Sequence, residues 1–355
     1  MGTRLAATIP LIRKGNMMGN NSKARAGAVI GAMLLVLTGC GGQRGGDNGA
    51  AAAEPTSCEV TTDARLSIAT GNTTGVYYTL GGAYAEAISE QTGGTLKATA
   101  AETSASLQNI QQLVAGTHQI AFSLADTAAD AVNGTASFDE KQPIAALTRL
   151  YPNYTQVIAR ADAGINSIAD MRGKRVSTGA PNSGTEVIAN RMLEAAGLNP
   201  ANDVQAQRTE LGKTVEGMKD GSIAAMFWSG GLPTGGITDL FVSQRDNVKF
   251  LDVTDTLPKL QEINPIYERG VIPASTYQTP ADVPTVVVPN VLLVNADMDG
   301  NTACVLTKAL FDSKADLVKA NKAANGISLD TARQTSPVPL HPGAKKALDE
   351  FGAAG

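Results

Sequence analysis

Three short segments combine glycine with serine, threonine or asparagine directly before an apolar helical pattern. They are "TGNTTG" at 70–75, "AETSASLQN" at 101–109 and "APNSGTE" at 180–186. The first-turn N–H groups of a helix have no intrahelical acceptor, and the aligned peptide dipoles favour negative charge at that end. The three segments therefore predict positions that could hold an anionic ligand such as a carboxylate.

Each segment taken alone is also explained by ordinary helix capping, which uses the same side chains. The segment at 70–75 is not a dinucleotide fingerprint, because its glycines lack the G-x-G-x-x-G spacing. It is not a P-loop either, because no Gly-Lys-Ser/Thr ends it. Three such segments in separate parts of the chain favour a divided ligand site more than any one of them does.

Catalytic and metal-binding patterns are not found in the sequence. The two histidines, His118 and His341, have no neighbours that suggest a triad, and "NSGT" lacks the G-x-S-x-G elbow. No spacing of His, Cys and Asp resembles a zinc site. The sequence therefore predicts a binding protein that is not an enzyme and that uses no cofactor and no metal.

Aromatic residues are scarce, so their positions are informative. Tyr77 and Tyr78 follow the first glycine turn, and Trp228, the only tryptophan, precedes "SGGLPTGG". Aromatic side chains beside glycine-rich turns are typical of the wall of a small-molecule pocket. Packing in the core is the alternative for each of them.

The N-terminal region has the features of an export signal. Five basic residues and no acidic residue lie in 1–39, and the uncharged run 26–38 leads into "LTGC" at 37–40. The run is short for a membrane span but normal for a signal peptide. Its end resembles the bacterial lipobox, so we expect a lipoprotein signal peptide at 1–39 and acylation of Cys40. Residues 40–59 have almost no large apolar side chain, which predicts a flexible linker.

Charge and cysteine content narrow the function further. Without 1–39 the chain has 24 basic and 33 acidic residues, a net charge of −9, which with the lack of a basic tract argues against a nucleic-acid partner. Cys58 and Cys304 then remain. An even number of cysteines in an exported protein favours a disulfide, and two unpaired buried thiols are the alternative.

Strand-like and helical patterns alternate from residue 61 onward, which predicts an α/β fold with mostly parallel strands. Two longer strand-like stretches, at 146–160 and 285–297, each contain a proline, which a central strand tolerates poorly. Strands that cross between two lobes have this appearance. We therefore expect one lobe at 60–155 with 286–355 and a second lobe at 156–285. One large continuous sheet is the alternative.

Four segments together resemble the TAXI solute receptors, the extracytoplasmic binding proteins of TRAP transporters. They are "LSIATGNTTGVYYTLGGAYAEAI", "TSASLQNIQQLVAGTHQIAFSLADTAADAVNG", "MRGKRVSTGAPNSGTEVIANRMLEAAGL" and "AAMFWSGGLPT", in the family's order over about 65–311. The resemblance implies a type II periplasmic-binding-protein fold, in which two α/β lobes are joined by two crossover strands. It also implies capture of a small carboxylate, typically glutamate, glutamine or 2-oxoglutarate, and delivery to TRAP membrane permease subunits.

The resemblance also implies site residues, to which the aromatic pattern adds Trp228. Where the family usually has Gly-Gly-Ser, this chain has Ser104-Ala105-Ser106, and the Cβ at 105 restricts φ. We expect an exported receptor anchored by lipid at the extracytoplasmic face of the membrane. A receptor of the same fold for an ABC importer or a sensor system remains an alternative. The predicted ligand-binding residues are Thr70, Gly71, Thr74, Gly75, Tyr77, Tyr78, Ser104, Ser106, Asn109, Ser183, Gly184, Thr185 and Trp228.

Overall fold

The computed structural model describes residues 57–354. The predicted signal peptide, Cys40 and most of the predicted linker lie outside these residues. None of the helices within the described part combines the length and the apolar character that a membrane crossing requires.

The first part of the fold alternates strands with helices, as the sequence predicts. Its elements are β1 (Ala64–Ala69), α1 (Val76–Gln91), β2 (Leu96–Ala101), α2 (Ser106–Val114), β3 (Ile120–Leu124) and α3 (Ala125–Asn133). Helix α1 follows from the spacing of Val76, Leu80, Tyr84 and Ile88, which recur every four residues and are all buried.

The middle part begins with a long strand and then continues the alternation. Its elements are β4 (Ile144–Arg160), β5 (Arg175–Ser177), α4 (Gly184–Ala195), β6 (Gln205–Gln207), α5 (Leu211–Asp220), β7 (Ala225–Gly230), α6 (Gly235–Gln244), β8 (Val248–Phe250), α7 (Leu257–Ile263), β9 (Glu268–Ile272) and α8 (Ala274–Tyr277). The last part contains the second long strand, β10 (Val283–Asn295), followed by α9 (Gly300–Asp312), α10 (Lys314–Ala320) and α11 (Pro342–Glu350).

The strands are hydrogen-bonded in the order β2-β1-β3-β10-β4-β7-β5-β6, with β8 on β4 and β9 on β10. On one side of the centre β1 pairs in parallel with β2 and β3, and on the other side β5 pairs in parallel with β6 and β7. Strands β8 and β9 pair antiparallel with β4 and β10. The central strands β4 and β10 run antiparallel to each other and to β7 and β3. The fold is therefore α/β, with two sets of parallel strands on either side of two long strands.

The two long strands were predicted from their length and their prolines, and both are present. Pro152 of β4 lies opposite Pro289 of β10, and the register shifts next to this pair. Proline has no N–H to donate, so its position marks where regular pairing is interrupted. Strands β4 and β10 pair along most of their lengths, so the hydrogen bonding is continuous across the sheet. This continuity is the feature that the alternative of one large sheet predicted. The two long strands separate the two sets of parallel strands, so the predicted type II periplasmic-binding-protein fold is confirmed, whereas the bounds of its two lobes stay a prediction.

Helices cover both faces of the sheet, and β10 shows why its sequence is apolar throughout. Val291 and Leu293 belong to one buried cluster, whereas Leu292 and Val294 belong to another. Successive side chains of a strand point to opposite faces. A strand buried on both faces therefore reads as a continuous hydrophobic run.

Cys58 and Cys304 are joined by a disulfide in the structure, with Cα atoms 5.1 Å apart and a sequence separation of 246. Cys304 lies in α9 and is fully buried. The backbone N–H groups of Ser57 and Cys58 also donate to Oδ1 of Asn301, at 2.6 and 3.1 Å. These contacts hold the start of the described chain against α9.

Candidate functional site

Helices α1, α2 and α4 begin around one cavity of about 40 Å³. All three predicted turns therefore meet in space, although the third is far from the other two in sequence. The predicted site residues that line the cavity are Gly71, Gly75, Tyr77, Ser104, Ser106, Ser183, Gly184, Thr185 and Trp228. Ligand binding by them remains a prediction.

Four of the predicted residues, Thr70, Thr74, Tyr78 and Asn109, are not among the residues that line the cavity. Asn109 lies behind it, where Nδ2 donates to the carbonyl oxygens of Thr70 at 2.7 Å and Phe122 at 2.8 Å. Oδ1 of Asn109 accepts from the Thr103 hydroxyl at 2.6 Å. Asn109 therefore holds the end of β1, the middle of β3 and the second turn in place.

The first turns of the three helices supply free hydrogen-bond donors. Gly75 and Ala105, the N-cap residues of α1 and α2, make no capping bond with a side chain, and Ser183 caps α4 by accepting from the N–H of Glu186 at 3.0 Å. Such first-turn amides are ready-made donors for an anion. Five amides of this kind line the cavity and have no acceptor among the backbone and side-chain groups of residues 57–354. They are those of Val76, Tyr77, Ser106, Gly184 and Thr185.

Ala105 adopts a backbone conformation that is almost restricted to glycine, with φ 77° and ψ −150°. The turn is held by two hydrogen bonds, from the N–H of Ser104 to Oε1 of Gln108 at 2.6 Å and from the N–H of Ala105 to the Thr103 hydroxyl at 3.0 Å. A non-glycine residue in such a region costs about 1–3 kcal/mol. Strain is therefore present where this chain departs from the Gly-Gly-Ser of the TAXI receptors.

Replacing Ala105 by glycine is expected to raise the free energy of unfolding by about 1 kcal/mol, because relief of strain outweighs the added freedom of glycine in the unfolded chain. Urea denaturation followed by Trp228 fluorescence measures the change. The matched control is Ala83→Gly within α1, which is expected to lower stability by about 1 kcal/mol. Equal destabilisation by both changes would contradict the prediction.

Tyr77 links the first turn to the two long strands. Its hydroxyl donates to Oδ1 of Asn290 at 2.5 Å, and Nδ2 of Asn290 donates to the carbonyl oxygen of Tyr151 at 2.9 Å. Burial raises the pKa of Tyr77 well above its ordinary value. Tyr77 is therefore a neutral phenol that fixes α1 against β4 and β10.

Two further polar residues line the cavity that the sequence does not single out as site residues, Tyr151 and Asn153 on β4. Both are 1% exposed, and within the described residues neither the Tyr151 hydroxyl nor Oδ1 of Asn153 has a hydrogen-bond partner. Burial, together with Tyr77, raises the pKa of Tyr151, so its hydroxyl keeps its proton. Since buried polar groups are nearly always paired, these two atoms indicate that a molecule bound in the cavity supplies their hydrogen-bond partners.

Asn153 is oriented by β7 and α4. Its Nδ2 donates to the Ser229 hydroxyl at 2.9 Å, and the Ser229 N–H donates to the Thr185 hydroxyl oxygen at 3.2 Å. The Thr185 hydroxyl therefore accepts from the protein and has its proton available for the cavity. The sequence signal that could have identified Tyr151 and Asn153 is Pro152. This proline lies between them, at the irregular point of a crossover strand.

Trp228 forms another wall of the cavity. Its Nε1 donates to the Thr234 hydroxyl at 3.1 Å. A Cβ atom on Gly75 would lie 3.6 Å from the Trp228 ring and 3.1 Å from the carbonyl oxygen of Asn72. Glycine at 75 therefore lets the indole lie against the start of α1.

Contacts beside the cavity connect the elements on its two sides. The N–H of Gln108 donates to the carbonyl oxygen of Asn182 at 3.0 Å, and the N–H of Leu211 is 3.4 Å from Oδ1 of Asn72. Arg191 of α4 also reaches α3 through a buried network of ion pairs. The cavity is thus lined by elements from the first and the middle part of the fold.

Arg191 pairs with Asp126 at 3.2 Å and with Asp130 at 2.6 Å. The Tyr267 hydroxyl accepts from Nη1 of Arg191 at 2.9 Å and donates to Asp126 at 2.5 Å. Burial raises the pKa of Asp130, although Arg191 opposes this shift. Two buried carboxylates are therefore held by one guanidinium and one phenol.

The electrostatics of the cavity come from neutral groups. None of the residues that line it in the described part of the chain is acidic or basic. Between residues 57 and 354 there is also no group of three or more His, Cys, Asp or Glu placed to hold a metal ion. Amide and hydroxyl donors are what the cavity offers to a bound anion.

Comparisons with known proteins give a family and a fold. A model described as the NMT1-like family matches residues 68–352. A solved structure from Bordetella bronchiseptica RB50 is 20% identical, with 81% of this chain and 89% of that chain covered and a TM-score of 0.50. The alkanesulfonate-binding protein SsuA from Xanthomonas axonopodis pv. citri, bound to MOPS, is 14% identical, with 82% and 85% covered and a TM-score of 0.45. At these identities the likeness concerns the fold.

Proposed function

The chain belongs to the NMT1-like family, and from that premise we propose that it is an extracytoplasmic solute-binding receptor for a small carboxylate. The observation that carries the proposal is the meeting of three helix N-termini, with unpaired first-turn amides, around an uncharged cavity. Helix N-termini stabilise bound anions without a cationic side chain. We expect no catalytic activity and no cofactor.

Binding proceeds by closure of two lobes, 60–155 with 286–355 and 156–285. In this division α1 and α2 belong to the first lobe, and α4 and Trp228 belong to the second. Neither lobe alone surrounds a ligand. The hydrogen bond from the N–H of Gln108 to the carbonyl oxygen of Asn182 would form as the lobes close, which supports a receptor that traps its ligand.

The receptor delivers its ligand to TRAP membrane permease subunits, and the motifs shared with TAXI receptors support this choice. Family membership and fold fit a receptor for an ABC importer at least as well, and a sensor system is a further alternative. Neighbouring genes distinguish them: a TRAP permease gene supports the proposal, and an ABC permease with its ATPase contradicts it. We further propose export through the signal peptide at 1–39 and anchoring by acylated Cys40.

Calorimetry with a panel of small carboxylic acids, neutral solutes and cationic solutes tests the proposed ligand class. We expect tight one-to-one binding by at least one carboxylate. Tight binding of a neutral or cationic solute, with no binding of any acid, would contradict the proposal. Native mass spectrometry of the purified protein provides an independent check, because a ligand that co-purifies is identified by its mass.

Replacing Thr185 by valine is expected to weaken carboxylate binding by about 1–3 kcal/mol, since it removes a hydroxyl donor from the cavity. The matched control is Thr238→Val, because the Thr238 hydroxyl donates to the carbonyl oxygen of Thr234 within α6. Calorimetry on both folded variants measures the change in affinity. An unchanged affinity for Thr185→Val would remove Thr185 from the ligand contacts.

A further inference from the structure

The cavity offers nothing that would neutralise an ammonium group. No carboxylate belongs to its lining among the described residues. Asp126, two positions after the lining residue Leu124, is fully buried but already bonded to Arg191, Tyr267 and the N–H of Thr127. Burial of an unpaired charge is costly. An α-amino acid would therefore bring a carboxylate that the helix N-termini accommodate and an ammonium that they repel.

The two unpaired polar atoms define what the ligand must carry instead. The Tyr151 hydroxyl needs an acceptor and Oδ1 of Asn153 needs a donor, and neither finds one among residues 57–354. A carboxylate oxygen satisfies the tyrosine, but it cannot satisfy the asparagine carbonyl. A neutral hydroxyl group is a donor and an acceptor at once. A ketone in the same position would leave Oδ1 of Asn153 unpaired.

The size of the cavity sets a further limit. Its volume of about 40 Å³ is far below the roughly 300–1,000 Å³ of sites for drug-sized ligands. A short carbon chain fits this space better than a long one. The walls formed by Tyr77, Tyr151 and Trp228 leave apolar surface for such a chain.

We propose that the ligand is a short hydroxycarboxylate without an amino group, and that the receptor rejects the amino acid of the same carbon skeleton. This inference rests on the proposed function. The carboxylate lies at the starts of α1, α2 and α4, and the ligand hydroxyl donates to Oδ1 of Asn153. The Tyr151 hydroxyl donates to the ligand. Discrimination between these ligands thus comes from β4 and not from the three glycine-rich turns.

Calorimetry with matched skeletons tests the inference. One set is lactate, pyruvate and alanine, and the other is 2-hydroxyglutarate, 2-oxoglutarate and glutamate. In the set that binds more tightly, we expect the affinity for the hydroxy acid to be about tenfold higher than that for the keto acid. This is the effect of one buried acceptor left unpaired. We expect the affinity for the hydroxy acid to be about 100-fold higher than that for the amino acid, because the ammonium of the amino acid is buried without a counter-charge.

Variants of β4 identify the contacts. Asn153→Leu is expected to bring the affinities for hydroxy acid and keto acid to about the same value. Tyr151→Phe is expected to weaken both by about tenfold and to keep their ratio. The matched control is Tyr84→Phe, since the Tyr84 hydroxyl is also fully buried but donates to the carbonyl oxygen of Leu306, away from the cavity. That variant is expected to bind as the wild type does.

The possible failures are distinguishable. If an amino acid or keto acid binds as tightly as its hydroxy partner, the inference is overturned and the carboxylate receptor stands. The same holds if neither set binds but a carboxylate without a hydroxyl group does. If only neutral or cationic solutes bind, the inference and the proposed function both fail. These comparisons on the wild-type protein decide the question even if a variant of β4 does not fold.

Discussion

Replacing Arg191 by methionine is expected to lower the free energy of unfolding by about 3–5 kcal/mol, because it leaves buried carboxylates without their cation. The Arg191 side chain is 9% exposed and that of Asp126 is fully buried. Methionine retains much of the apolar stem, so the loss is mainly electrostatic. Tyr267 still donates to Asp126, but a single phenol cannot compensate for the guanidinium of Arg191.

Urea denaturation followed by Trp228 fluorescence measures this effect. The matched control is Arg208→Met, since the Arg208 side chain is 53% exposed and pairs with Glu186 at the surface. An exposed pair contributes about 0–1 kcal/mol. Adding Asp126→Asn and Asp130→Asn to Arg191→Met should recover part of the lost stability, because the unpaired charges are removed as well. Similar losses in the two single arginine variants would show that the buried network contributes little.

Removing the disulfide by Cys58→Ala and Cys304→Ala is expected to lower the free energy of unfolding by about 5–6 kcal/mol on the loop-entropy model. The bond closes a loop of very large size, with a sequence separation of 246. Such a cross-link restricts the unfolded chain far more than the folded one. Alanine suits the fully buried position 304, where a serine hydroxyl would need a partner.

Intact mass after alkylation, with and without reductant, establishes whether the bond exists in the native protein. Reductant should lower the stability of the wild type and leave the double variant unchanged. Two alkylated thiols in the native, unreduced protein would contradict the prediction. A loss well below the expected value, with the bond present, would show that the reduced unfolded chain retains structure.

Much of the fold followed from local patterns. The periodic apolar residues predicted α1, and the lengths and prolines of two stretches predicted β4 and β10. The turn chemistry predicted where α1, α2 and α4 begin, because capping depends on residues adjacent in sequence. Nine of the thirteen predicted site residues line the cavity, and all of them except Trp228 lie in or beside these turns.

The remaining site residues depended on tertiary structure. Asn109 was predicted as a ligand contact, but the structure directs its amide to backbone carbonyls. Polar side chains near a helix start can bond either a ligand or a neighbouring strand, and only the position of that strand decides between them. Tyr151 and Asn153 reach the cavity because β4 passes between the two parts of the fold.

The sequence by itself determined that this chain alternates strands and helices, contains two crossing strands and presents three anion-favouring turns, since each of these properties depends on neighbours along the chain. The tertiary structure alone decided that the turns share one uncharged cavity. It also decided that Arg191 forms ion pairs with Asp126 and Asp130. On β4 it left the Tyr151 hydroxyl and Oδ1 of Asn153 unpaired beside the cavity. Those facts depend on which distant surfaces pack together, and burial removes the water that would otherwise satisfy every polar group.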